Sequence, residues 1–178
     1  MEQIERLRNI LSESEISKFK NYSVSKGDLK FLNEYIVGIL SKIKSEPFKC
    51  ASLSSLLGVI IKENSNIPVV VVSGELRYLN NIVFDGREQI PFNSNVKIIN
   101  RDWFGHAWVE CPNFIIDISL KRTVSFRGVS KELNNVIGSE EYILDSYKNI
   151  KSLKLDYNPR YLLNEQLKDG LIKSINIR

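Results

Sequence analysis

One stretch constrains this chain more than any other. It runs from Phe104 to Ser119, Phe-Gly-His-Ala-Trp-Val-Glu-Cys-Pro-Asn-Phe-Ile-Ile-Asp-Ile-Ser, and it holds His106, the only histidine in the sequence. Apolar residues alternate on both sides of a Cys-Pro-Asn break, the mark of two strands joined by a turn. With the turn at Cys111-Pro112, or spanning Glu110 to Asn113, His106 and Asp117 stand directly opposite each other. Opposed residues of an antiparallel pair share a face, with Cβ atoms roughly 4.5–5.5 Å apart. The register thus predicts an imidazole beside a carboxylate that accepts its N–H, fixes its tautomer and stabilises the imidazolium. A loop of odd length would break this pairing.

Asp117 is flanked by Ile115, Ile116 and Ile118. A carboxylate buried in such a strand is costly without a partner, and His106 is the partner the register offers. Alone, a histidine on an apolar strand reads as a hydrogen-bonded core residue; paired with Asp117 it reads as chemistry. Trp108 and Glu110 share the His106 face by alternation. Trp108 is expected to pack over the site or line its mouth, as the substrate-contacting residue. Glu110 reads as solvated or ion-paired, with no catalytic role. Cys111 is an odd number of positions from His106 and so points to the other face, as a structural residue.

A nucleophile is offered upstream. Cys50 follows Pro47-Phe48-Lys49 at the start of a helix whose apolar face is Leu53, Leu56, Leu57, Ile60 and Ile61, with Ala51, Ser52, Ser54 and Ser55 around it. A thiol at that position points at unpaired N–H groups and the positive end of the dipole, which favours the thiolate. A small buried core cysteine is the plainer alternative. Cys50 and Cys111 are the only cysteines, too few for a disulfide scaffold. With one histidine they are also too few for a structural zinc site. Neither a metal nor a cofactor is expected.

The rest of the chain reads as an α+β domain. Residues 2 to about 22 and the segment from Asp28, its cap, to Ser45-Glu46-Pro47 are helical by spacing, with Ser12–Glu15 a break in the first. The β-branched run Pro68–Gly74 reads as a central strand buried on both faces. Ile82–Phe92 reads either as a hairpin around Asp85-Gly86 or as part of a long irregular insertion over 77–102. Val124-Ser125-Phe126 reads as a short strand. Residues 130–148 and 159–169 read as peripheral helices, Tyr142-Ile143-Leu144 being an alternative strand. One domain, 1–178, is expected: N-terminal helices over 1–46, a catalytic core over 47–120, and strand and helix elements over 121–178.

Apolar residues make up 43% and charged residues 26% of the chain, within the range of soluble globular proteins. The net charge of +4 is mild and no basic block occurs, so no nucleic-acid partner is expected. No apolar run approaches the roughly 20 residues of a membrane span, so no membrane partner is expected. The charged Met1–Arg8 segment lacks the core of a signal peptide, which places the expected location in the cytoplasm.

Four pieces in order resemble the transglutaminase-like superfamily. They are the cysteine-led helix, Asn66-Ile67-Pro68-Val69-Val70-Val71-Val72-Ser73-Gly74, Gly105-His106-Ala107-Trp108-Val109-Glu110, and Asp117-Ile118-Ser119. The resemblance covers about residues 47 to 120, and the His-Ala-Trp-Val-Glu segment is its specific part. It implies a papain-like fold with a Cys-His-Asp triad: Cys50 as nucleophile, His106 as general base and acid, Asp117 as orienter. The implied activity is acyl transfer from a peptide or protein amide through a thioester, as in a peptidase, deamidase or transglutaminase. The backbone N–H of Cys50 would serve an oxyanion hole with a second donor not identified. Lys49 and Ala51 replace the glycine and tryptophan common beside the nucleophile of calcium-dependent transglutaminases. No calcium loop is visible. Small bacterial members resembling peptidases, including lasso-peptide leader peptidases, are therefore more similar. Arylamine N-acetyltransferases share the fold and triad, but this chain is short for their acetyl-CoA domain. The reading from another class is a non-catalytic peptide- or protein-binding module on the same fold.

Overall fold

Valine and isoleucine side chains stiffen the backbone in extended form, and the run from Val69 into Gly74 becomes the central strand β1 (Val70–Tyr78). The computed structural model describes residues 2–91, 103–127, 131–138, 140–173 and 175. β1 is buried from Val70 to Leu76. One of its edges is occupied over Val72–Tyr78 by β6 (Leu155–Leu162). The other edge is divided between β3 (His106–Cys111), which pairs with Val70–Gly74, and β2 (Asn81–Phe84), which pairs with Leu76–Tyr78. β4 (Phe114–Asp117) and β5 (Ile143–Ser146) continue outward from β3. The five pairings among the described residues are all antiparallel.

Helices cover both faces of this curled sheet. On one face lie α3 (Lys26–Lys42), α4 (Cys50–Asn64) and α8 (Glu165–Ile172), packed on Val71, Ala107, Val109, Cys111 and Ile116. On the other lie α1 (Glu2–Leu7), α2 (Glu13–Asn21), α5 (Leu120–Arg127), α6 (Lys131–Ile137) and α7 (Tyr147–Ser152), around Val72, Leu76, Trp108, Ile115 and Tyr157. The architecture is thus α+β, with helices packed on an antiparallel sheet. α4 lies close to the sheet because its inner side is small: a Cβ added at Gly58 would come within 2.3 Å of Val71. The expected face of α4 is accordingly split. Leu53, Leu57 and Ile61 are buried with Ala51, Ser54 and Ser55, while Leu56 and Ile60 are only half-buried.

Several expectations change for local reasons. The break at Ser12 is real: Ser12 caps α2 in a reciprocal box with Glu15. The same box starts α3, but its cap is Ser25. Asp28 is the third helical residue and accepts the Ser25 backbone N–H at 2.8 Å. The β2 hairpin turns at Leu79-Asn80, both at positive φ, and not at Asp85-Gly86. The remainder of the 77–102 insertion from Phe92 onward lies outside the described residues. Val124-Ser125-Phe126 lies within helix α5 instead of a strand, because Asp117 and Ser119 cap that segment. Tyr142-Ile143-Leu144 leads into strand β5. The helix expected over 159–169 is instead the end of strand β6 and the start of α8. Pro159 is tolerated there because, among the described residues, β6 pairs with β1 alone, along one edge.

Candidate active site

The β3–β4 turn is Pro112-Asn113, with Asn113 at positive φ, and the register pairs Val109 with Ile116 and Glu110 with Ile115. Continued along the strands, this register sets Asp117 opposite Trp108 and not opposite His106. The expected direct opposition is corrected to a diagonal. The shift is two residues, so both side chains stay on one face. A diagonal neighbour is within reach of long and aromatic side chains, and His106 Nε2 lies 2.5 Å from Asp117 Oδ2. Both residues are fully buried.

Asp117 is held from every side. Its Oδ2 also accepts the Tyr157 O–H at 2.9 Å. Its Oδ1 accepts the backbone N–H groups of Ser119 and Leu120, each at 3.0 Å, and the Ser119 O–H at 3.1 Å. Burial pushes the carboxyl's pKa up, but the His106 charge and hydrogen bond, with Ser119 and Tyr157, bring it below its ordinary value. Burial likewise pushes the imidazole down. The Asp117 charge and hydrogen bond outweigh it, Cys50 adds to them, and the ring is raised to about 10. Asp117 therefore favours the protonated form of the ring.

Three aromatic rings enclose the imidazole. Phe84 stacks on it at 4.8 Å between centroids, Trp108 lies at 6.2 Å and Tyr157 at 6.5 Å. Trp108 is fully buried and donates its Nε1–H to Glu110 Oε1 at 2.9 Å. It packs beside the ring and does not reach an opening.

Cys50 is the first residue of α4, preceded by Phe48 at positive φ and by Lys49, whose side chain makes no cap hydrogen bond. It belongs to the α4 side of the sheet, whereas His106 faces the other side. His106 sits at the gap where the edge of β1 passes from β3 to β2. Gly74 pairs with His106, and Leu76 pairs with Phe84. There the Cys50 side chain acts on the imidazole both as a hydrogen-bonding group and by charge. His106 Nδ1, the ring atom not used by Asp117, is otherwise a buried nitrogen without a hydrogen bond of ordinary geometry. Backbones crowd at this gap: a Cβ at Gly86 would lie 1.9 Å from Gly74 O, so the segment after β2 presses onto β1 where Gly86 sits at positive φ. A cleft of about 250 Å3 opens beside Gly105, lined by Asp85, Arg87, Glu88, Trp103 and Phe104. A larger groove of about 720 Å3 lies at the other end of β1, near Pro68 and Lys168, away from this chemistry.

Cys111 is fully buried on the α4 face, and burial raises its thiol to about 12. Glu110 is not solvated as expected. It is fully buried and accepts from Gln3 Nε2 and Trp108 Nε1, each at 2.9 Å. Among the described residues, no group of three or more His, Cys, Asp or Glu side chains comes together as a metal site. Nor, among them, is any helix long and apolar enough to cross a membrane. Tyr157 and Phe84 were not singled out by the sequence. The alternation of Leu155 and Tyr157 with Asp156 and Asn158 was a strand signal, masked by the Asn158-Pro159 pair that reads as a turn. No protein-family model, curated protein or solved structure matches the chain.

Proposed function

We propose that this protein is a cysteine-dependent acyl-transfer enzyme acting on a peptide or protein amide, with Cys50, His106 and Asp117 as its triad and a papain-like, transglutaminase-like core. The observation that carries this reading is the buried His106–Asp117 pair at 2.5 Å, whose second ring nitrogen has no bond of its own and faces the influence of a cysteine at a helix start. In the proposed reaction Cys50 Sγ attacks the amide carbonyl while His106 Nδ1 takes the thiol proton. The ring becomes the imidazolium that Asp117 favours. It returns that proton to the leaving amine as the C–N bond breaks, leaving a thioester. Water or a second amine then attacks the thioester carbonyl, giving its proton to the ring, and Cys50 leaves as the thiol. The backbone N–H of Cys50, at the start of α4, would be one donor to the oxyanion.

A second reading, a non-catalytic peptide- or protein-binding module, is favoured by one observation: His106 and Asp117 are fully buried and Cys50 is only 6% exposed. Alkylation with iodoacetamide, followed at each cysteine by peptide mass spectrometry, separates the two. The enzyme reading expects Cys50 in the native protein to label far faster than Cys111 near neutral pH. His106→Ala should slow it about 100-fold, the lower range for a positioned acid–base group. Labelling of Cys50 as slow as that of Cys111, with no dependence on His106, would leave the binding module as the reading.

A further inference from the structure

The Asp117 Oδ2 atom serves two donors, and only one of them belongs to the triad just proposed. The other is the Tyr157 hydroxyl, at 2.9 Å. Tyr157 is 1% exposed, and Asp117 supplies the hydrogen bond its buried O–H requires. It comes from β6, which β1 and β3 separate from β4. On a flat sheet those strands would lie three spacings apart, roughly 14 Å at about 4.8 Å each, beyond what a tyrosine and an aspartate span between them. The curl of the sheet brings the hydroxyl to the carboxylate. Trp108, packed edge-on against the Tyr157 ring at 5.1 Å, keeps it there. A phenylalanine would fill the same space.

Building on the triad reading, we infer that Tyr157 is a positioning residue of this site. Its O–H holds Asp117 Oδ2 toward the imidazole and weakens that oxygen's pull on the Nε2 proton, so that the proton stays on the ring. Oδ1 is already taken by Ser119 and Leu120, which stops the carboxylate from turning over. Oδ2 is left to His106 and Tyr157. With the Tyr157 donor, the oxygen shares its charge between two bonds. Without it, the whole of that lone-pair density faces Nε2, and the proton is drawn toward Asp117.

The titratable groups that bear on the ring are Asp117 from β4, Cys50 from α4 and, through Asp117, Tyr157 from β6. Because His106 is the only histidine, the ring N–H at Nε2, which faces Asp117, can be assigned from its cross-peak in proton NMR of the nitrogen-15-histidine-labelled full chain. Tyr157→Phe should move that resonance downfield and shift the imidazole titration upward by about one pH unit, the scale of a hydrogen bond to a charged group. Tyr147→Phe is the control, since it removes another buried hydroxyl, one that has no hydrogen bond among the described residues. It should move neither. Should Tyr157→Phe fail to fold, 3-fluorotyrosine placed at position 157 makes a stronger donor of the same shape and should shift both readouts the opposite way. An unchanged resonance and titration in the folded Tyr157→Phe protein, or shifts equal to those of Tyr147→Phe, would reduce Tyr157 to a packing residue and overturn the inference. These readouts do not depend on activity. If alkylation of Cys50 shows no dependence on His106 while the NMR shifts appear, the triad reading fails and the Tyr157 linkage stands.

Discussion

Two carboxylates lie fully buried on the same face of one hairpin, and they end in opposite electrostatic states. Asp117 is brought below its ordinary pKa, whereas burial raises Glu110 to about 7. Burial acts on both alike, so the donors decide. Asp117 faces a cation and four neutral donor groups, two of them backbone N–H groups at the start of α5. Glu110 has Gln3 and Trp108, both neutral, with Arg6 acting only by charge from further off. A buried carboxylate stays ionised when a charge and several donors converge on it, and drifts toward the neutral acid when they do not. The first arrangement suits chemistry. The second suits a structural clip, and Gln3 uses it to tie α1 to the hairpin, donating to Glu110 and to Cys111 O while accepting from Asn113 N–H.

The sharpest way to break this comparison is truncation. Asp117→Ala leaves a buried imidazole without its partner and strips the cap from α5, and should cost about 3–5 kcal/mol in urea unfolding. Glu110→Ala leaves only neutral donors unpaired and should cost roughly 1–3 kcal/mol. Equal losses would mean that burial, and not the donor set, governs both sites.

Titration sharpens it further. His106 is raised in the folded state, so its stabilising contribution is complete below pH 6.5 and is lost as pH rises toward about 10. Glu110 is raised too, so its contribution is complete below pH 4.5 and is lost by about pH 7. Each group adds a downward slope of up to about 1.4 kcal/mol per pH unit within its own window. Asp117→Asn should flatten the upper window only, and Glu110→Gln the lower one only, in chemical denaturation across pH. A single variant that flattened both would show the two sites to be one coupled network.

The smallest effect belongs to the clip itself. Gln3→Ala should cost about 1–2 kcal/mol in urea unfolding and shift the Glu110 window to higher pH, leaving the His106 window in place. Movement of the His106 window would again argue for coupling.

Much of this was readable in the chain, because it rests on short-range rules. The valine run forms the central strand, Cys50 begins its helix, and alternation places His106, Trp108 and Asp117 on one face. What escaped depends on distance. The turn at Pro112-Asn113 moved the register by two residues, which parity absorbed. Strand β6 escaped because an Asn-Pro pair reads as a turn, although an edge strand tolerates it. With β6 went Tyr157, forty positions from the carboxylate it binds. The burial of Glu110 escaped for the same reason, since only the fold brings Gln3 across to it.

The cap that Asp117 places on α5 bears on how such a protein would age. Its two oxygens serve different masters: Oδ2 the imidazole, Oδ1 the first turn of a helix. A descendant that gave up the proposed reaction could exchange Cys50 for another small residue at little cost to the fold. It could not so easily give up Asp117, which would still be needed to begin α5. In a lineage drifting away from catalysis the acid would outlast the nucleophile, and a surviving aspartate would be the poorer witness to activity.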